Sequence, residues 1–527
     1  MNRRQFLATT AATLAMPRIS KAQSSRTLKF VPQADLAVLD PITSVAYVTR
    51  NHAMLVFDTL YGVDEHNKAQ PQMLAGHDIE QDGRQWTLTL RDGLKFHDGS
   101  PVLARDVVAS LQRWGKRDNV GQALFAVTDE LSAVSDKQVR FRLKRPFPFL
   151  PDGLGKIGTN IAVIMPERLA ATDPFTQVTE MVGSGPYRFN AKERVVGSLL
   201  VYERFAGYVP RTDGTPDWTA GPKIAHFDRV EWHVIPDPAT AAAALQTGEI
   251  DWWENPTADL LPSLRAVKGV TVAIQDPTGL MGCLRLNHLQ APFNNPAIRR
   301  ALLGAIDQRD VMLACTGDDP AMSRVPTGLF CPGTPMATDV GLDVFAGPRD
   351  YDAVRKAILA AGYKGEKVVV LAPTDLQILK AEADVIADVL QRVGLNVDYQ
   401  AMDWGTVVQR RIKKDATDKG GWSVFNTFWA GLDQFNPVGH VFLRGMGEGP
   451  GSIYGWPSSP RIEELREQWM QAADVPAQQA IARDLQLQAL IDVPYIPLGQ
   501  MLQATAFSGS LTGVLDGFAL FWNVRRG

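Results

Sequence analysis

The sequence predicts an α/β fold on three observations: two-residue alternation in its N-terminal third, two capped helix starts ahead of apolar stripes, and a strand–helix–strand series near residue 400. Trp86, Leu88 and Leu90 alternate with Thr87 and Thr89, the pattern of a half-buried strand. Arg91-Asp92-Gly93 turns the chain, Leu94-Lys95-Phe96 alternates again, and His97-Asp98-Gly99 ends that second strand. Pro101 opens the approach to a helix that carries Val107, Val108, Leu111 and Trp114 on one face. Further on, Asp237-Pro238 supplies a cap and a first-turn proline, Gly248 stops that helix, and residues 249 to 253 read as a strand. Asn295-Pro296 starts the next helix, with Ile298, Ala301, Leu302, Ala305 and Ile306 as its stripe. Lys367 to Ala372 is a buried-type strand, residues 375 to 393 a helix closed at Gly394, and residues 395 to 402 a second strand. This βαβ unit predicts a largely parallel sheet in the C-terminal half.

The N-terminus predicts export. Asn2-Arg3-Arg4-Gln5-Phe6-Leu7 has the paired arginines of a twin-arginine signal, residues 8 to 16 are weakly apolar, and Ser20-Lys21-Ala22 offers a cleavage site. Cleavage there leaves 505 of the 527 residues, enough for about three domains with a core of their own. Arg3, Arg4, Arg18 and Lys21 leave with the signal, so 54 Lys and Arg fall to 50 against 57 Asp and Glu. A negative balance argues against a nucleic-acid or anionic-lipid partner. No apolar run is long enough for a membrane span. Of the three cysteines, Cys283 sits in an apolar run and reads as core. Cys315 and Cys331 either bridge a short loop or join it as buried thiols.

No P-loop, HExxH, G-x-S-x-G or CxxC motif occurs, and none of the eight histidines lies at metal-ligand spacing from another. The sequence therefore predicts no catalytic residues, no metal and no cofactor. Twin-arginine export often accompanies folded cofactor enzymes, so an exported hydrolase or oxidoreductase is the rival class.

The block from Trp86 to Trp114 closely resembles the signature region of the peptide-type solute-binding proteins of ATP-driven importers, solute-binding family 5. Matching pieces are Gly183-Ser184-Gly185-Pro186-Tyr187-Arg188-Phe189, Gly248-Glu249-Ile250-Asp251, Pro292-Phe293, Arg299-Arg300-Ala301-Leu302 and Pro497-Leu498. The resemblance implies a two-lobed periplasmic-binding-protein fold, type II and of the large peptide-binding class, with an inserted subdomain. It implies a signal peptide over 1–22, a first lobe from 23–62, 183–285 and 497–527, a subdomain over 63–182, and a second lobe over 286–496. It also implies a monomer that closes on its solute in the periplasm and hands it to importer permease subunits. The same fold also serves as a ligand sensor for chemoreceptors, which the residues do not separate from transport.

By the same resemblance, three stretches line the cleft. The loop after the first strand, Asp40-Pro41 and onward, nominates Tyr47, which equally reads as packing on the following helix. The strand after the Gly248 turn nominates Trp252, Glu254 and Asn255, with strand alternation pairing Trp252 with Glu254 on one face. The third stretch nominates Trp404 and the run GWSVFNTFWAGLDQFNP, ending at Pro437, with Phe428 and Trp429 as apolar walls. In peptide-binding members an aspartate three residues after the second tryptophan pairs with the ligand ammonium, and an arginine three before it meets the carboxylate. Here Leu432 and Asn426 occupy those slots. Unpartnered peptide ends would lose about 2 to 5 kcal/mol per buried charge. Asp433 either restores the ammonium contact or is a turn residue facing water. The expected solute is therefore a peptide-like, amine-bearing or aromatic small molecule.

Overall fold

A computed structural model describes residues 26–527, so the signal reading of residues 1–22 lies outside them. Three sheets organise the chain. A seven-stranded sheet runs Val270–Ile274, Ala504–Ser508, Trp252–Trp253, Thr27–Val31, Arg229–His233, Leu199–Arg204, Tyr187–Phe189. A six-stranded sheet runs Ser323–Arg324, Tyr495–Met501, Leu280–Leu286, Val424–Ala430, Lys367–Pro373, Asn396–Met402. A four-stranded antiparallel sheet is built from residues 74 to 143.

The largely parallel sheet expected for the C-terminal half is corrected to a mixed one. Lys367–Pro373 does pair in parallel with Asn396–Met402 and with Val424–Ala430, as the βαβ unit requires. Leu280–Leu286 instead lies antiparallel between Val424–Ala430 and Tyr495–Met501. It arrives directly from the first sheet without a crossover helix, so right-handed parallel entry is not imposed on it. The chain enters the second sheet through residues 275–279 and leaves it through 502–503, side by side, because Val270–Ile274 pairs with Ala504–Ser508.

Local expectations near residue 90 hold except one. Gln85–Leu90 is a strand with Trp86, Leu88 and Leu90 buried, and Ala104–Gly115 is a helix burying Val107, Leu111 and Trp114. Leu94-Lys95-Phe96 forms no strand and makes only a single bridge, Lys95 to Pro101, since the turns at Gly93 and Gly99 leave too few residues for a ladder. The strand read over 249 to 253 likewise shortens to Trp252–Trp253. Its helix is capped as expected: the Asp237 carboxylate accepts from Thr240 N, and Gly248 takes φ +76°, a left-handed geometry that glycine adopts at no steric cost. The helix at Asn295-Pro296 covers Pro296–Leu303, leaving Ala305 and Ile306 beyond its end.

The first sheet is packed by aromatic rings. Phe30 lies 4.9 Å from Phe521 and 5.2 Å from Trp252, and Trp232 lies 5.2 Å from Tyr202, in tilted and edge-on arrangements. Phe521 and Trp522 come from the C-terminal tail, which thereby closes the core begun at residue 27. The Cys315–Cys331 bridge is corrected: all three cysteines are free thiols. Cys315 sits on helix Gln308–Thr316 with its sulfur toward Ile378 O, whereas the Cys331 sulfur turns to Thr278 O. Cys283 is fully buried core, as expected.

Candidate functional site

The crossings between the two sheets leave a small cavity of about 60 Å³. Its walls combine Tyr47 and Arg50 from helix Tyr47–Val56, Trp252, Glu254 and Asn255 from the first sheet, and Phe518 from the returning tail. Gln275, Asp276 and Gly279 of one crossing, Gln503 of the other, and Leu280 and Ala430 of the second sheet complete it. Four of the ten residues named from sequence, Tyr47, Trp252, Glu254 and Asn255, meet here.

Each wall residue is held by its own element. Strand Trp252–Trp253 runs parallel to Thr27–Val31 in register Phe30 to Trp252, which points the indole among Phe30, Phe507 and Phe521. Its Nε1 donates to Thr505 Oγ1 at 2.7 Å. Trp253, on the opposite face, is buried with Ala241, Leu245 and Leu264. The Glu254 carboxylate is already occupied: it accepts from Gln33 N (2.8 Å), Gln33 Nε2 (3.1 Å) and Asn51 Nδ2 (2.7 Å). Burial raises its pKa above the usual carboxylate range, and the Gln33 amide and Arg50 work against that rise.

Asn51 in turn accepts from Arg50 Nε (3.2 Å) and Nη2 (3.0 Å). The Arg50 guanidinium lies 3.8 Å over the Phe518 ring and 5.2 Å from the Tyr47 ring. It is 6% exposed, and no carboxylate among the described residues lies within ion-pair distance of it. Desolvation lowers its pKa, opposed chiefly by the nearby Asp276.

Tyr47 and Asp433 join helix Tyr47–Val56 to the turn that follows strand Val424–Ala430. Tyr47 Oη donates to Asp433 Oδ2 (3.1 Å) and accepts from Ala430 N (2.5 Å), while Asp433 Oδ1 accepts from Thr159 N (3.0 Å) and Thr159 Oγ1 (3.3 Å). Asp433 is thus half-buried, with both oxygens already hydrogen-bonded. The Tyr47 phenol is pushed well above its ordinary value by burial first and by the Asp433 charge second. Tyr47→Phe removes this clasp while keeping the ring, and should cost the closed arrangement about 0.5–1.5 kcal/mol. The measurement is the radius of gyration of the solute-free protein, which is expected to rise; an unchanged radius would argue that the clasp does not hold the lobes.

A second cavity, of about 230 Å³, contains Leu432 and Asp433 in its wall together with Phe149, Ile157, Met336, Phe435 and Trp469. It lies where residues 63–157 meet residues 335–478, with Phe149 5.0 Å from Trp469. The remaining nominated residues line neither cavity. Asn426 is fully buried in the second sheet, beside Glu382. Phe428 and Trp429 are half-buried on the same strand, Trp429 edge-on to Phe442 at 5.8 Å. Trp404 starts a short helix at the sheet edge, where Arg411 lies over Tyr454 (4.3 Å), Trp404 (5.2 Å) and Phe425 (5.8 Å).

Sequence reasoning missed Arg50, Asp276 and Phe518. Arg50 lay at the end of the stretch that nominated Tyr47, one helical turn on, and its i, i+3 spacing was the available signal. Nothing local marks Asp276 or Phe518, which join Arg50 only through the chain crossings.

Comparisons with known proteins give the family and the fold. The family model for bacterial extracellular solute-binding proteins, family 5 (Middle), matches residues 68–440. The chain is 35% identical over 522 residues to the probable peptide ABC transporter periplasmic-binding protein y4tO of Sinorhizobium fredii, covering 98% of this chain and 97% of that one. It is 26% identical to the glutathione-binding protein GsiB of Pectobacterium atrosepticum, over 90% and 88% of the two chains. Among solved structures, DppA of Helicobacter pylori in complex with the peptide STSA superposes with a TM-score of 0.78 at 20% identity, over 96% of this chain and 99% of that one. AgaA of A. tumefaciens R10 in complex with agropinic acid gives 0.77 at 19% identity, over 95% and 99%.

Proposed function

Since this chain belongs to the bacterial extracellular solute-binding proteins, family 5, we propose that it is the periplasmic substrate-binding component of an ABC importer. It has the type II, peptide-class periplasmic-binding-protein fold. In this reading it captures a peptide-like or other small organic solute, and the closed pair of lobes then docks on membrane permease subunits as a monomer. The observation that carries the reading is the position of the smaller cavity. Its walls come from both sheets and from both crossings, so a solute there contacts both lobes only when they are shut. Binding then shifts the population toward the closed form by its differential affinity for that form.

We place the lobe boundaries at residues 275–279 and 502–503 instead of after 285 and 496, because Leu280–Leu286 and Tyr495–Met501 lie whole in the six-stranded sheet; residues 63–182 are proposed as the inserted subdomain. Residues 1–22 are proposed as a twin-arginine signal on their sequence. A non-catalytic role is proposed because the family this chain belongs to comprises solute-binding proteins; none of the helices among the described residues is long and apolar enough to cross a membrane.

The test is thermal unfolding of the purified protein with amino acids, dipeptides, tripeptides, opine-type acids, aromatic amines and sugars. A solute at 100 times its Kd stabilises by about 2.7 kcal/mol, a readily measured shift. A saturable shift without chemical change of the solute supports the receptor reading. Turnover of the stabilising solute would replace it with an enzyme.

A further inference from the structure

We propose that Arg50 and Asp276 together hold an α-amino-acid head group of the solute, its carboxylate on Arg50 and its ammonium on Asp276. The proposal rests on the solute-binding reading and narrows its substrate class.

Some polar groups in and beside the small cavity are already spent. Glu254 already accepts three hydrogen bonds and Asp433 another three, so neither carboxylate is free for a ligand. Arg50 is fixed from behind by Asn51, which Glu254 fixes in turn, and its Nη1 carries no hydrogen bond. A guanidinium held on one edge and stacked on Phe518 presents its free edge as a ready anion fork. Asp276 spends only one oxygen, Oδ1, on Thr278 N (2.9 Å) and Thr278 Oγ1 (2.5 Å), and its Oδ2 carries no hydrogen bond. Gln275 Oε1, in the same wall, is buried with no partner and offers a further acceptor.

Charge then selects the ligand. A lone anion on Arg50 would face Glu254, Asp276 and Asp433 in a site of low dielectric, and a lone cation on Asp276 would face Arg50. A head group carrying both charges answers both walls at once. Size agrees: a cavity of about 60 Å³ suits a single head group with both charges on one carbon better than the two separated ends of an α-linked peptide. The class that carries ammonium and carboxylate on a single carbon comprises free amino acids and amino acids linked through their side chains, such as γ-glutamyl compounds.

Calorimetric titration with γ-glutamylglycine and its isomer α-glutamylglycine separates these classes at equal composition and charge. The γ isomer is expected to bind at least tenfold tighter, and N-acetylation or α-amidation of it should each cost at least tenfold. Arg50→Gln should erase the penalty for the amide only, and Asp276→Asn that for the N-acetyl form only. The unliganded Arg50→Gln protein should unfold at the same temperature or higher, since a buried unpaired charge is gone, which a scaffold role for Arg50 would not give. Equal binding of the two isomers, or variants that lose both discriminations alike, would overturn the head-group assignment. So would silence from the γ compounds beside a shift from α-linked peptides or neutral solutes, a result that leaves the receptor reading standing. Silence from every solute class would overturn both.

Discussion

Arg113→Ala is expected to destabilise the protein by about 3–5 kcal/mol in urea unfolding, the effect of leaving one member of a buried ion pair uncompensated. Arg113 Nη2 and Nη1 donate to the two oxygens of Asp40 at 2.7 and 3.3 Å, and the pair is 1% and 0% exposed. The guanidinium also donates to Thr172 O and Thr176 O, while Asp40 accepts from Ile42 N and Val178 N. Every strong acceptor and donor in this knot is therefore used. Removing Arg113 strands a carboxylate in the interior and frees two carbonyls. The cost has a functional side, because Asp40 anchors the loop that leads into Tyr47 and Arg50. Solute affinity should fall along with stability. Asp40→Leu in the Arg113→Met background should recover part of the loss, since an apolar pair of similar volume carries no desolvation penalty. A double variant as unstable as Arg113→Ala would mean that the loop conformation, not the stranded charge, sets the cost.

Glu382→Gln is expected to act in the opposite direction, stabilising the protein by about 1–3 kcal/mol at neutral pH. The Glu382 carboxyl, on helix Gln377–Arg392, is fully buried, its oxygens unpaired, with Asn426 beside it but short of hydrogen-bonding geometry. Burial raises its pKa well above the ordinary value. The sign follows from linkage. The unfolded chain releases this proton as pH rises past about 4.5, whereas the folded chain keeps it, so the wild type loses up to about 1.4 kcal/mol per pH unit until the folded pKa is reached. Glutamine has no proton to keep. The advantage of the variant should therefore vanish near pH 4.5 and grow upward, which stability curves at several pH values will read directly. A pH-independent difference would place the effect in packing instead.

The fold was legible wherever local pattern and burial coincide. The Asp237 and Asn295 caps, the Gly248 stop and the Trp86–Leu90 alternation all formed as read. The parallel bias was overread because Leu280–Leu286 and Tyr495–Met501 look like any buried strand, and direction depends on where the chain came from. The candidate site was half legible. Trp252, Glu254, Asn255 and Tyr47 converge on one cavity, but Glu254 proved to be the support of Asn51 and Arg50. Asn426, Phe428, Trp429 and Trp404 lie away from both cavities, since one strand alternates its faces and a resemblance carries positions without orientations. The missed groups, Asp276 and Phe518, lie more than 200 residues from Arg50. Only the two crossings bring such distant residues together.

Hydrogen–deuterium exchange with and without the most stabilising solute tests the central claim most directly, because it reads both lobes in one experiment. The account predicts simultaneous protection of residues 47–56, 252–255 and 275–280 together with 424–435, the walls of the cavity on either side of the crossings. Protection confined to one of the two sheets, or to a surface remote from the crossings, would contradict capture between closing lobes.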